Sequence, residues 1–181
     1  MPPSSPKRST AARLIVPTKT KRKPARPRIP PSSIVLWANS KIDADTIHIQ
    51  TMRIYGEANL REHWSTASEW TAAYRDVARR CVRQQITDHG AWGTQPLVVV
   101  LTRIAPARLD DDGCVRGFKS TRDGVADALG VDDRRSDRVE YVYRQERGGV
   151  REYAVRIEVM QRAEWVRRLT DMTAAKGATG R

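Results

Sequence analysis

The chain has 181 residues, 33 Lys and Arg against 21 Asp and Glu, and a formal net charge of +12. The length suits one ordinary domain with a tail. No apolar run reaches the roughly 18 residues of a membrane-spanning helix, and two cysteines, Cys81 and Cys114, exclude a disulfide-rich scaffold and a four-Cys zinc site. Three histidines (His48, His63, His89) without close spacing argue against a His-built metal site, while the excess positive charge points to a polyanion, most often nucleic acid.

The first 33 residues carry nine basic side chains, no acidic one and eight of the ten prolines. A segment of that composition buries too little apolar surface to offset its ordering entropy, so residues 1–33 read as a disordered basic arm. It has no apolar core of a secretory signal, and its prolines oppose the amphipathic helix of a transit peptide. Lys21, Arg22, Lys23, Arg26 and Arg28 form its densest part and are candidate phosphate contacts. A solubilising extension is the competing reading. Residues 34–181 keep 24 basic and 21 acidic side chains, a net of +3.

Within the body, Ile34 to Trp37 is a short apolar run suited to an edge strand, and Thr46 to Met52 alternates as a strand does. Tyr55 to Trp64 has no clean period and reads as a loop. From about Thr66 to Ile86 the spacing turns helical, with Trp70, Ala73, Tyr74, Val77, Ala78, Cys81 and Val82 on one apolar stripe. Cys81 on that stripe reads as a core thiol. Leu97 to Leu101 is an unbroken apolar run, the pattern of a strand covered on both faces. The acidic turn Asp110-Asp111-Asp112 follows, with Asp111 or Asp112 placed to cap a helix over about 115–129 whose buried stripe is Val115, Phe118, Val125, Ala126 and Leu129. Gly124 weakens that helix by roughly 1 kcal/mol, and Gly130 ends it in the position that favours a left-handed cap. Val139–Tyr143 and Tyr153–Val159 alternate, and Gly148-Gly149 between them suggests a hairpin. A helix beginning near Trp165 is expected to fray into a flexible tail over 166–181. The order predicts an α/β domain over 34–165, a compact mixed β-sheet with helices packed on it.

Two acidic clusters flank the predicted second helix: Asp110-Asp111-Asp112 before it, Asp132-Asp133 after it. Fifteen helical residues span roughly 22 Å, so the clusters meet only if the chain folds back or a second subunit supplies one of them. Carboxylate oxygens suit Mg²⁺, and such ions serve phosphodiester hydrolysis. Runs of Asp are more often solvated turns and caps. Lys119 has a plain reading as an i,i+4 partner of Asp123, although the body has only three lysines (Lys41, Lys119, Lys176).

Over about 45–160 the body resembles the RusA family of Holliday-junction resolvases, especially its phage-borne relatives. The resemblance rests on Asn59-x-Arg61-x-His63-Trp64, Tyr74-Arg75-Asp76-Val77-Ala78-Arg79, and Leu97 to Arg103 leading into Arg108-Leu109-Asp110-Asp111-Asp112. It continues through Lys119-x-x-x-Asp123-Gly124-x-x-Asp127-Ala128-Leu129-Gly130-Val131-Asp132-Asp133 and the last two strands. It implies a homodimeric, Mg²⁺-dependent endonuclease (Mn²⁺ as a substitute) that resolves four-way DNA junctions in recombination and repair. It also implies a cytoplasmic setting, in a bacterium or encoded by a phage, with no membrane partner. By resemblance, Asp110, Asp112 and Asp133 are catalytic metal ligands, with Asp132 beside them. Lys119 matches the catalytic lysine, and Arg61 and Arg108 join the arm in holding DNA. The chain departs from the family twice: Gly113 stands where the acidic turn has Asn, and Lys119 lies seven residues after Asp112 instead of four. The missing Asn motivates a second reading, a RusA-like DNA-binding protein of phage origin with weakened or lost cleavage.

Overall fold

Among the described residues ten elements follow in chain order: α1 (Ser33–Ala38), β1 (Ser40–Ile42), β2 (Thr46–Gln50), α2 (Trp64–His89), β3 (Leu97–Ala105), α3 (Asp111–Gly117), α4 (Lys119–Leu129), β4 (Val139–Arg147), β5 (Ala154–Gln161) and α5 (Arg162–Ala178). The computed structural model describes residues 33–55, 64–132 and 137–178. The strands form one mixed sheet in the order β1-β2-β5-β3-β4. Only β3 and β4 run parallel, from Leu97↔Val139 to Ala105↔Arg147. A parallel pair needs a crossover, and here α3 and α4 provide it. The α/β class is as predicted.

All nine residues of β3 are buried, as the unbroken apolar run requires. Val99 and Leu101 join the main core with α2 and α4, through Tyr74, Val77, Cys81, Val82, Phe118 and Val125. Val98 and Val100 face the other way and pack with Met160, Val142 and Trp165 of α5. Helices therefore cover both faces of the sheet centre. The predicted α2 stripe is the buried face of the helix, extended by Gln85, whose Nε2 donates to Asp43 O at 2.7 Å.

Four expectations change. Ile34 to Trp37 lies in helix α1, with Leu36 buried, and the edge strand is β1, which starts at Ser40. A four-residue apolar run carries too little periodicity to tell helix from strand. The helix predicted over 115–129 is two helices that break at Phe118, which is fully buried. The break rotates the helical phase, leaving Val115 41% exposed where burial was expected. Next to the break, a Cβ on Gly117 would meet Ile54 Cγ2 at 2.6 Å and Tyr55 O at 2.7 Å, so only glycine lets α3 pack there. Third, β4 and β5 form no hairpin, because β3 lies between them. Gly148 instead lets the connection pass tightly over the end of β3: its N–H donates to Ala105 O at 3.0 Å, and a Cβ there would sit 3.2 Å from Ile104 Cγ2. Finally, α5 remains helical to Ala178, where a fraying tail was expected.

The outer attachment of α5 is largely ionic. Arg162 donates to Glu140 at 3.1 Å, Arg168 reaches Asp45 at 3.3 Å and Glu158 at 3.6 Å, and the Arg144 guanidinium lies 4.9 Å from the Trp165 ring. Among the described residues, no helix is long and apolar enough to cross a membrane.

The contact between α2 and α4 depends on Gly124. A Cβ at that position would run into the carbonyl oxygen of Arg75 and come within 3.1 Å of Ala78 Cβ. Beside it, Arg75 grips Asp127 through two bonds of 2.7 and 2.9 Å. Gly130 caps α4 with φ 64°, as predicted, and Val131 N–H closes back on Ala126 O at 3.1 Å.

Gly124→Ala is expected to cost about 1–3 kcal/mol through overpacking, opposite in sign to its gain in helix propensity; urea unfolding measures the difference. Hydrogen bonding by Arg75 holds the Asp127 carboxyl below its ordinary value of 3.8. A lowered value means the pair stabilises fully above that pH and is lost as pH falls through the folded-state value. Because both side chains are at least a third exposed, Asp127→Asn should cost about 0.5 kcal/mol at neutral pH. Thermal unfolding should show the gap closing in acid.

Candidate functional site

Ligands of open α/β sheets gather beyond the carboxyl ends of the parallel strands. At that end of β3 and β4 a buried polar clamp holds the chain. Arg103 emerges from β3 only 6% exposed. Its Nε donates to Ile54 O at 3.2 Å and its Nη1 to Ala107 O at 2.6 Å. From β4, Gln145 accepts the Leu109 N–H at 2.9 Å and donates to Leu109 O at 3.0 Å. Burial lowers the Arg103 pKa, and the two carbonyls accept from its Nε and Nη1. The two side chains fix residues 107–109 and so set where Asp110 stands.

Asp110 is the N-cap of α3, extended at φ −61° and ψ 158°, with no capping bond from its side chain. Asp111 and Asp112 follow in the first helical turn, where negative charge meets the positive end of the helix dipole. All three are exposed. The N-cap is thus Asp110 instead of the predicted Asp111 or Asp112. Gly113 matters to this arrangement, because a Cβ there would collide with Asp110 Oδ1. In this chain the Asp110 carboxylate occupies the space over that glycine, so an Asn at 113 would push it aside.

Around this turn the chain is cationic. Arg108, Arg116 and Arg147 are exposed. Arg53 lies between two rings, 4.8 Å from the centroid of Tyr55 and 4.2 Å from that of Tyr153. A groove of about 650 Å³ opens beside the turn, lined by Arg108, Asp111, Cys114 and Val115 on one side, Tyr143 to Glu146 along β4, and Met172 of α5.

The other expected site residues are distributed differently. Lys119 is exposed at the start of α4, and the seven residues of α3 between it and Asp110 rise about 10 Å. Asp123 lies 3.7 Å from Arg122, and the ion pair expected with Lys119 is not among those of the described residues. Asp127 belongs to the α2–α4 clamp. Asp132 shares a shallow recess of about 320 Å³ with Asp137 and Arg138, just before β4. Val139 and Gln145 are six residues apart on β4, about 20 Å, so within one chain Asp132 stands at the opposite end of the sheet from Asp110 and Asp112. Among the described residues no three His, Cys, Asp or Glu side chains gather to hold a metal ion. Asp133, Arg61, Lys21, Arg22, Lys23, Arg26 and Arg28 lie outside the described residues.

Cys81 is fully buried, and burial pushes its thiol up to about 11. Burial also raises Cys114. Both are buried, and Cys81 is the core thiol read from the sequence. Sequence reasoning missed the clamp of Arg103 and Gln145. Arg103 did leave a signal, a lone charge inside the apolar run 97–105. Gln145 left none, because its role depends on the register of β4 against β3.

The chain is 35% identical over 85 residues to an uncharacterized protein of Xylella fastidiosa, a stretch that is 42% of this chain and 52% of that protein. It thus spans about half the length of the relative it matches. No family model and no solved structure matches the chain.

Removing the clamp should loosen the acidic turn. Gln145→Leu strands two backbone groups of Leu109 and is expected to cost about 1–3 kcal/mol. Faster amide exchange at Leu109 than in wild type, measured by NMR, would report the local opening.

Proposed function

We propose that this protein is a metal-dependent, structure-selective endodeoxyribonuclease that resolves four-way DNA junctions as a homodimer, in the manner of the RusA family. The observation that carries the reading is the exposed carboxylate turn Asp110-Asp111-Asp112, mounted beyond the parallel strands beside a groove that Arg108 and Arg144 help to line. Carboxylates alone repel a polyanion. Carboxylates within a cationic rim suit a phosphate backbone when a divalent cation mediates the contact.

The donor set is compatible with Mg²⁺, which is commonly held by one or two carboxylates together with water and phosphate oxygens. Asp110 and Asp112 would hold it, and Asp132, at the opposite end of the sheet, joins them only by a route outside the single chain; Asp133 is the further ligand that the family resemblance implies. When bound, such an ion supplies an activated water and offsets charge on the scissile phosphate. The protein's own part is positional. Arg103 and Gln145 keep the turn from moving, Gly113 leaves room for Asp110, and Arg108, Arg116 and Arg147 attract the DNA strands. Lys119, one length of α3 away, would stabilise negative charge on DNA phosphate. The basic arm with Lys21, Arg22, Lys23, Arg26 and Arg28 would add salt-sensitive affinity. This reading places the protein in the cytoplasm of a bacterium or on a phage genome.

A second reading is a junction-binding protein that does not cut. The position of Asp132, at the far end of β4 from Asp110, favours it.

A synthetic four-way junction, incubated with purified protein and Mg²⁺ or Mn²⁺, separates the two. Symmetric nicking by wild type, reduced about 100-fold by Asp112→Asn, is the expected result. Binding without nicking establishes the second reading, and equal nicking by Asp112→Asn removes the carboxylate turn from the chemistry.

A further inference from the structure

A second cationic feature stands at the same end of the sheet, apart from the acidic turn. Met52 and Ile54, where the chain leaves β2, are buried in the main core, and Arg53 between them points the other way. Its guanidinium is held between the rings of Tyr55 and Tyr153. Tyr55 meets the edge of Trp70 at 5.7 Å, and Trp70 that of Tyr74 at 5.5 Å. The Tyr74 hydroxyl closes the set by donating to Arg53 O at 2.8 Å. Among the described residues no carboxylate pairs with Arg53. Rings cover the two faces of a guanidinium but none of its N–H groups, which lie in its plane. The stack therefore leaves a fixed planar fork without an acceptor.

Beside the stack, the end of β2 and the start of β5 enclose a recess of about 410 Å³, lined by His48, Gln50, Thr51, Arg151, Glu152 and Tyr153. Thr51 and Arg151 both hold left-handed backbone, at φ 61° and 64°, and among the described residues they are the two such positions outside glycine. A β-branched residue rarely stays there, and strained backbone of this kind collects at ligand clamps. Glu152, the carboxylate that lines the recess among the described residues, already accepts the Gly149 N–H at 2.6 Å. Arg53 and Arg151 are thus left as uncompensated cations among the described residues, beside His48 and the Thr51 hydroxyl.

We infer that the Arg53 stack and this recess bind the phosphate backbone of a DNA strand, outside the acidic turn. The inference deepens the proposed function and rests on it for the identity of the strand. A guanidinium fork matches two phosphate oxygens at once, the rings fix the direction of that fork, and Arg151 adds a second charge. β2, β5 and β3 are neighbours in that order, so the recess lies two strand spacings, about 10 Å, from the end of β3. Phosphates of one strand recur about every 3.4 Å along a duplex axis, so a strand that meets the end of β3 with one phosphate carries another about three nucleotides on at the recess. Arg103 ties the two places together, because its guanidinium bonds Ile54 O on one side and Ala107 O on the other. The role of the stack is to hold and direct the strand.

Fluorescence anisotropy of a labelled four-way junction, in EDTA so that no cleavage intervenes, tests the assignment. Arg53→Ala should raise Kd about tenfold and lower the slope of log Kd against log salt by about one. Arg53→Lys keeps the charge and loses the fork, so it should keep the slope and raise Kd about threefold. Tyr153→Leu removes a ring and no charge and should weaken binding about threefold, while Tyr153→Phe binds as wild type. Arg167→Ala, an exposed arginine of α5 paired with Glu164, should change Kd less than about twofold. Circular dichroism confirms that each variant folds. Where wild type nicks with Mg²⁺, Arg53→Ala should raise KM and spare kcat. Equal losses from Arg53→Ala and Arg167→Ala, or wild-type binding by Tyr153→Leu, overturn the inference. Inorganic phosphate and a mononucleotide, titrated by calorimetry, supply the other arm. Tight binding of either that Arg53→Ala abolishes, with junction affinity unchanged, makes the occupant a small anion and overturns the DNA assignment. Wild type that binds the junction without nicking removes the nuclease reading, while the same variants still decide the subsite. Wild type that binds no DNA removes both.

Discussion

Exclusion of water from all nine residues of β3 constrains the rest of the molecule. A strand buried end to end needs neighbours on both edges and helices on both faces. β5 and β4 supply the edges. One face is covered by α2 and α4, the other by α5. Because β4 runs parallel to β3, the chain returns across the sheet between them, and that return contains every aspartate of the candidate site in the described residues. The acidic turn thus lies where the return begins, and Asp132 where it ends.

The same burial shapes the polar chemistry. A charged side chain leaving the end of such a strand has few water molecules around it, so its donors need fixed acceptors. Arg103 finds them in the carbonyls of Ile54 and Ala107, and Gln145 completes the set by holding both backbone groups of Leu109. The turn that follows is rigid at its base and solvated at its tip. A carboxylate donor set for a hard cation needs both: placement by the fold and freedom to exchange water for phosphate oxygens.

The sequence revealed these features unevenly. Periodicity found α2 and its buried stripe because one helix face must be apolar, and it found β3 because burial on both faces leaves an unbroken apolar run. It missed the break at Phe118, since one continuous helical phase fits Val115 and Phe118 equally well until packing against Ile54 and Tyr55 is known. The glycine pair after β4 resembled a hairpin turn, yet hydrogen-bond partners are a tertiary choice and β3 took the place between β4 and β5. α5 was read too short because it lacks a strong apolar stripe; the ion pairs that anchor its first half, such as Arg168–Asp45, depend on tertiary placement. Of the site, the carboxylates themselves were legible. Their separation was not, because it follows from the parallel pairing of β3 with β4.

The mode of attachment of α5 has a consequence of its own. Apart from Trp165 over Val98, Val100 and Met160, this helix is tied to the sheet by guanidinium–carboxylate pairs that face solvent. Such ties weaken as ions crowd the surface, within a Debye length of about 8 Å at physiological ionic strength, while the oily contact between α2, α4 and the sheet does not. Salt therefore acts on this fold selectively. It leaves the main core shut and slackens one outer layer, so the helix beside the groove forms the separately adjustable part of an otherwise fixed body.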